Sequence, residues 1–157
     1  MVPARRRQRY HIRYRPVVPR VVLDTNVLVA ALRSNRGASF RLLSLIDSGR
    51  FEVCVSVPLV IEYEAVLFRQ ARSLGLSRRD IGDVLDYLCT VAHRQSIFFL
   101  WRPQLRDPND DMVLEVAVAA GCRYLVTFNK GDFGSGHPFS IRVVTPREFL
   151  QAIEVIP

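Results

Sequence analysis

Asp24, Glu62, Asp110 and Asp132 stand in four separated stretches of the chain, each beside a segment that reads as a strand or a helix start. Carboxylates brought together repel one another and lose hydration, and a cation relieves both penalties. Hard oxygen donors, with no thiolate and no well-placed His among them, point to Mg²⁺ or Mn²⁺. Such a cation can activate water and stabilise a phosphodiester transition state. Each acid also has a plainer reading. Asp24, followed by Thr25 and Asn26, could only cap a helix. Glu64 competes with Glu62, Asp107 and Asp111 compete with Asp110, and Asp132 could merely end a turn after Lys130 and Gly131.

The segments around these acids alternate between two periods. Val21, Val22 and Leu23 form a short apolar run that reads as a buried strand, followed by a helix or turn from Val27 to Leu32. Residues 39–48 have helical spacing and Gly49 stops them. Residues 51–56 predict a second strand, and Pro58 opens a helix to about Arg69. Ser77 is a candidate N-cap for a helix over 78–92, and Ile97 to Trp101 predict a third strand. Asn109 or Asp110 starts a helix that ends at Gly121. Residues 124–127 and 141–144 predict a fourth and a fifth strand, and Thr145, Pro146 and Glu148 supply the capping box of a last helix. Strands alternating with helices predict a three-layer α/β/α sandwich around a mostly parallel sheet of about five strands. Ligands of such sheets gather at the carboxyl ends of the strands, where all four acids map.

Helical spacing bears on which acid faces the site. Asp110, Leu114, Ala117 and Gly121 share one face, which is expected to meet the sheet and leave Asp110 overhanging the cluster. Asp111 and Glu115 fall on another face and are expected to be solvated. Val60, Ile61, Ala65 and Phe68 read as core-facing, which leaves Glu62 and Glu64 unseparated.

The chain has 157 residues, enough for one domain, and 49% of them are hydrophobic, enough for a core. No apolar run approaches the roughly 20 residues that span a bilayer. The first residues are Arg-rich but lack the apolar stretch of a secretory signal and the Ser of a transit peptide, so a cytoplasmic location without a membrane partner is expected. Cys54, Cys89 and Cys122 are far apart in sequence and read as small buried hydrophobes rather than a disulfide framework or a zinc site. The net charge is +7, from 22 basic and 15 acidic residues. Residues 1–20 hold Arg5, Arg6, Arg7, Arg9, Arg13, Arg15 and Arg20 and no acid, which leaves 15 basic against 15 acidic residues elsewhere. The division expected is therefore a basic, disordered tail over 1–20 and a folded domain over 21–157. A tail with Tyr10 and Tyr14 among its arginines can hold phosphates and stack on bases. There is no internal repeat.

The stretch VVLDTNVLVAAL around Asp24 resembles the opening motif of the PIN-domain family. SVPLVIEYEAVL resembles the family's second motif and places its acid at Glu62, and RDPNDDMVLEVAVAAGCRYLVTFNKGDF resembles the third and fourth motifs joined, with the third acid at Asp110. The likeness covers roughly residues 21–149 and is strongest toward the toxin components of toxin–antitoxin systems, the VapC-like ribonucleases. It implies Mg²⁺-dependent endonuclease action on RNA, a homodimer and a neutralising antitoxin partner. It implies Asp24, Glu62 and Asp110 as direct or water-bridged metal ligands, with Asp132 or Asn129 completing the set. Thr25, Asn26, Ser56 and Thr127 would position the carboxylates or the substrate phosphate. Asn129 stands where many relatives carry Asp; others pair an Asn there with an Asp three residues on, as at Asp132.

Other chemistries fit less well. An aspartyl-nucleophile phosphatase wants a second Asp where Asn26 stands, and no Gly-rich turn follows the first strand to cradle a dinucleotide or a nucleoside triphosphate. The remaining alternative is a PIN-fold RNA-binding or regulatory module that has lost cleavage.

Overall fold

The computed structural model describes residues 17–97, 105–134 and 140–157. Among the described residues five strands, β1 (Arg20–Leu23), β2 (Glu52–Val55), β3 (His93–Arg94), β4 (Tyr124–Val126) and β5 (Arg142–Val144), form one parallel sheet in the order β3-β2-β1-β4-β5. Val21, Val22 and Leu23 are wholly buried, as are Leu125 and Val126. Successive side chains of a strand point to opposite faces, so a strand buried at every residue is covered on both sides. The expected three-layer α/β/α architecture follows.

Among the described residues six α-helices provide the cover: α1 (Thr25–Arg33), α2 (Ala38–Ser44), α3 (Val57–Leu74), α4 (Arg78–Val91), α5 (Pro108–Ala119) and α6 (Pro146–Ala152). Helix α5 packs on β1, β2 and β4, and α6 on β4, β5 and α2. Among the described residues no helix is long and apolar enough to cross a membrane. The expected caps form: Ser77 and Asp80 make a capping box for α4, and Thr145 and Glu148 make one for α6. Gly121, with φ of 64°, turns the chain out of α5 in the left-handed conformation that glycine adopts without steric cost.

Three expectations need correction, and a fourth falls largely outside the described residues. The third strand among the described residues is His93–Arg94, directly after α4; of the strand expected at Ile97–Trp101 only Ile97 is described, and it is not in a strand. A two-residue edge strand is exposed on one side and needs no apolar run to announce it. Helix α5 starts at Pro108, one residue before Asn109, because Asp107 caps it by accepting the Asn109 N–H at 2.9 Å, with Pro108 in the first turn. The core face of α3 is Leu59, Tyr63 and Leu67, whereas Ile61 is 61% exposed and Ala65 also faces solvent. Tyr63 takes a core position because its hydroxyl donates to the Leu23 carbonyl. Finally, Asp111 and Glu115 are each only 2% exposed. Helix α5 is buried at every position from Val113 to Ala117, so the face that carries Asp111 and Glu115 is covered as well as the face that carries Leu114 and Ala117.

The first described strand includes Arg20, a residue expected in the basic tail. Arg20 opens β1, with its Nε 2.8 Å from Glu52 and its Nη1 donating to the Ala120 carbonyl. Arg5, Arg6, Arg7, Arg9, Arg13 and Arg15 lie outside the described residues. Cys54 and Cys122, distant in sequence, meet beside β1, and their mutual hydrogen bond pushes the Cys122 thiol up. All three cysteines are free; Cys89 is only half-buried.

Candidate active site

The direction of connection reverses between β1 and β4, which is where an open parallel sheet leaves a crevice at its carboxyl edge. Asp24 leaves β1 at that point and Thr127 leaves β4. The Asp24 backbone N–H donates to Val126, so the two strand ends are tied together. Asp24 is 8% exposed and serves as N-cap of α1, its Oδ1 accepting the Thr25 N–H at 2.7 Å. Its Oδ2 accepts the Thr127 hydroxyl, also at 2.7 Å. Thr127 Oγ1 in turn accepts the Asn129 N–H at 3.0 Å and an Asn26 amide hydrogen at 3.4 Å. The Thr127 hydroxyl thus gathers two more of the expected residues, Asn26 and Asn129, around a single carboxylate. Capping and site-forming are joint roles of Asp24 rather than alternatives.

A cleft of about 530 Å³ opens over this corner. Asp24, Glu62, Asp107, Asp110 and Asp132 line it, together with Thr25, Asn26 and Asn129. Helix periodicity explains the choice between competing acids. On α3, Glu62, Val66, Arg69 and Gln70 form a stripe at helical spacing along the cleft, and Glu64 is exposed outside it. On α5, Asp110 overhangs the cleft while Asp111 turns inward and accepts the Leu105 N–H at 3.0 Å. Asp132 is exposed on a 3₁₀ turn (Lys130–Phe133). Lys130 anchors that turn to α6 through both Glu148 oxygens, each at 3.0 Å. The Thr145 backbone N–H, then Lys130, hold the Glu148 carboxyl below its usual range.

Electrostatics register the crowding. Burial raises Asp24, opposed by the Thr127 and Thr25 hydrogen bonds and reinforced by the charges of Asp132 and Asp107. Asp110 is raised from 3.8 to about 6, first by burial and then by Asp24, Asp107, Asp132 and Asp111. Carboxylates that resist ionisation together are a donor set fitted to a divalent cation. Among the described residues no three acids already form a closed coordinating group.

Ser56 does not line the cleft. It caps α3 by accepting the Leu59 N–H at 3.3 Å, so it acts on Glu62 only by fixing where the helix begins. Asp107 lines the cleft, whereas the sequence presents it only as a rival of Asp110; an Asp directly before a Pro is an N-cap signal that places it one turn before Asp110. Arg33, Arg69 and Phe128 also reach the cleft, and no sequence motif marks them.

A parallel α/β sheet with a carboxylate cleft at its switch point defines the class of protein. Residues 20–131 match the family model for the PIN domain, and the chain belongs to the PIN domain family. Among solved structures it is similar to a chain of VapBC2 from Rickettsia felis bound to a DNA fragment from their promoter. The TM-score is 0.56 at 17% identity, over 79% of this chain and 96% of that one, a likeness of fold. No curated protein matches the chain in sequence.

Proposed function

We propose that the protein is a metal-dependent endoribonuclease that hydrolyses RNA phosphodiester bonds in the acid cleft, as the toxin of a toxin–antitoxin pair. The observation that carries this reading is the convergence of Asp24, Glu62, Asp110 and Asp132 on one cleft, with Asp110 raised to about 6 by burial and by its acidic neighbours. Asp24, Glu62 and Asp110 would hold Mg²⁺ or Mn²⁺, with Asp132 or Asn129 completing the set. When bound, the cation activates water and neutralises charge that develops on the phosphodiester. Thr127 keeps one Asp24 oxygen engaged and fixes the plane of the carboxylate, and Asn26 and Asn129 hold Thr127. Arg33 and Arg69 stand at the rim, where they offset acid–phosphate repulsion.

A protein partner belongs to the same reading. The similar Rickettsia felis assembly is VapBC2, and α3 here presents Val57 at 73% and Ile61 at 61% exposure beside an apolar groove, which supports an antitoxin partner. The family resemblance adds a homodimer.

The test is cleavage of single-stranded RNA by purified protein with Mg²⁺, with EDTA, and in Asp24→Asn and Asp110→Asn variants whose fold is checked by circular dichroism. Cleavage that needs the metal and drops at least about a hundredfold in both variants is expected. RNA binding without cleavage in Mg²⁺ or Mn²⁺ would instead identify a binding module.

A further inference from the structure

A second recess of about 540 Å³ adjoins the acid cleft and shares Ala30, Arg33 and Phe128 with it. Its character is opposite. Arg33 and Arg147 line it and no acid does. Arg33 is bonded to the neutral Gln70 at 3.1 Å, and among the described residues neither arginine forms an ion pair with a carboxylate. Phe128, between the two recesses, is 50% exposed, an unusual position for a large apolar ring. Its backbone N–H is tied to Asn26, so the ring stands on the ordered corner that holds Asp24. In the recess wall lies Ser39, whose buried hydroxyl is the one such side-chain atom without a partner among the described residues.

We infer that this recess is a nucleotide subsite beside the cleavage point, where Phe128 stacks on an unpaired base and Arg33 and Arg147 hold the adjoining phosphate of single-stranded RNA. The inference rests on the nuclease reading for the nature of the strand, and it adds a path for that strand. A chain with its scissile phosphate over the acids crosses Phe128 directly into the basic recess. Exposed aromatics stack on any base that is not paired, and arginines beside them fix the backbone. Duplex RNA keeps its bases stacked inside and gains nothing from Phe128.

The experiment measures binding of a short single-stranded RNA and of the matching duplex in EDTA, by fluorescence anisotropy over a salt series. Cleavage in Mg²⁺ is followed in parallel. Phe128→Ala is expected to weaken single-strand binding about tenfold and to leave duplex binding unchanged, with Phe128→Trp restoring it. Arg147→Gln is expected to lower the log–log salt slope by about 0.7. Unchanged affinity and slope in both variants, or failure of the Trp variant to restore binding, overturns the subsite while cleavage by the parent protein keeps the nuclease reading. Weakened binding in the variants of a parent that never cleaves keeps the subsite and overturns the nuclease reading. A parent that binds no RNA removes both.

Discussion

Replacing Asp110 with Asn separates the cost of gathering acids from their use. The group titrates near 3.8 when free and at about 6 in the folded, metal-free protein. A raised carboxyl favours the folded state while it is protonated. That contribution is complete below 3.8, fades as pH rises through about 6, and is absent above it. At neutral pH the ionised group therefore burdens the folded protein. The full shift corresponds to roughly 3 kcal/mol. Asp110 is partly exposed, so solvent screens its neighbours, and about 1 kcal/mol is the realistic gain from Asp110→Asn. Urea unfolding in EDTA at about pH 7.5 should show that gain, or a Tm about 2–4 °C higher. Near pH 4 most of the difference should vanish. Adding Mg²⁺ should stabilise the parent more than the variant, since binding to the folded state adds stability only where the site survives. A variant less stable than the parent at neutral pH, or equal stabilisation of both by Mg²⁺, refutes the reasoning.

Thr127→Val removes the hydroxyl that meets Asp24 and is itself wholly buried; a loss of about 1–3 kcal/mol is expected in chemical denaturation. Because Thr127 holds the Asp24 carboxyl down, the acidic limb of the pH–activity profile should also move to higher pH, and a limb that stays in place counts against Asp24 as the titrating ligand. Asp111→Ala should behave opposite to Asp110→Asn, costing about 1–3 kcal/mol of stability because it leaves the Leu105 N–H without its buried acceptor; thermal unfolding of the two variants reads the contrast. Deleting residues 1–16 removes Arg5, Arg6, Arg7, Arg9, Arg13 and Arg15 but spares Arg20 in β1; binding to single-stranded RNA should weaken most at low salt, with the slope flattening by about 0.7 for every phosphate the tail neutralises and the cut-site preference retained.

The sheet was legible because its inner strands are buried on both faces and leave unbroken apolar runs, as at Val21 to Leu23 and Tyr124 to Val126. The edge strand at His93–Arg94 was not, since one row of paired backbone groups requires no particular side chain. Acid positions followed from strand ends and helix spacing, which is why Asp24 and Asp110 could be placed. The orientation of Asp111 and Glu115 depends on what covers α5, a tertiary fact that α5's own periodicity does not contain. The same holds for Ile61, because the core stripe of α3 is set by Tyr63 finding the Leu23 carbonyl. Arg33, Phe128 and Arg147 come together only through the packing of α1, the β4 end and α6, and no spacing in the sequence joins them.

Asp24 and Thr127, joined by one hydrogen bond, are 103 positions apart in the chain. The central strand β1 is synthesised early, yet its neighbour β4 emerges more than a hundred residues later. At roughly 5–20 residues per second, several seconds of translation separate the two. Until β4 is out, β1 lacks one of its two flanking strands, Asp24 lacks the hydroxyl that orders it, and Asp110 has no β4 to pack against. The cleft therefore cannot be complete before β4 has been made. A product truncated before Thr127 still carries Asp24, Glu62 and Asp110, but it lacks the strand end that ties Asp24 in place, so early truncation leaves the acids without their frame.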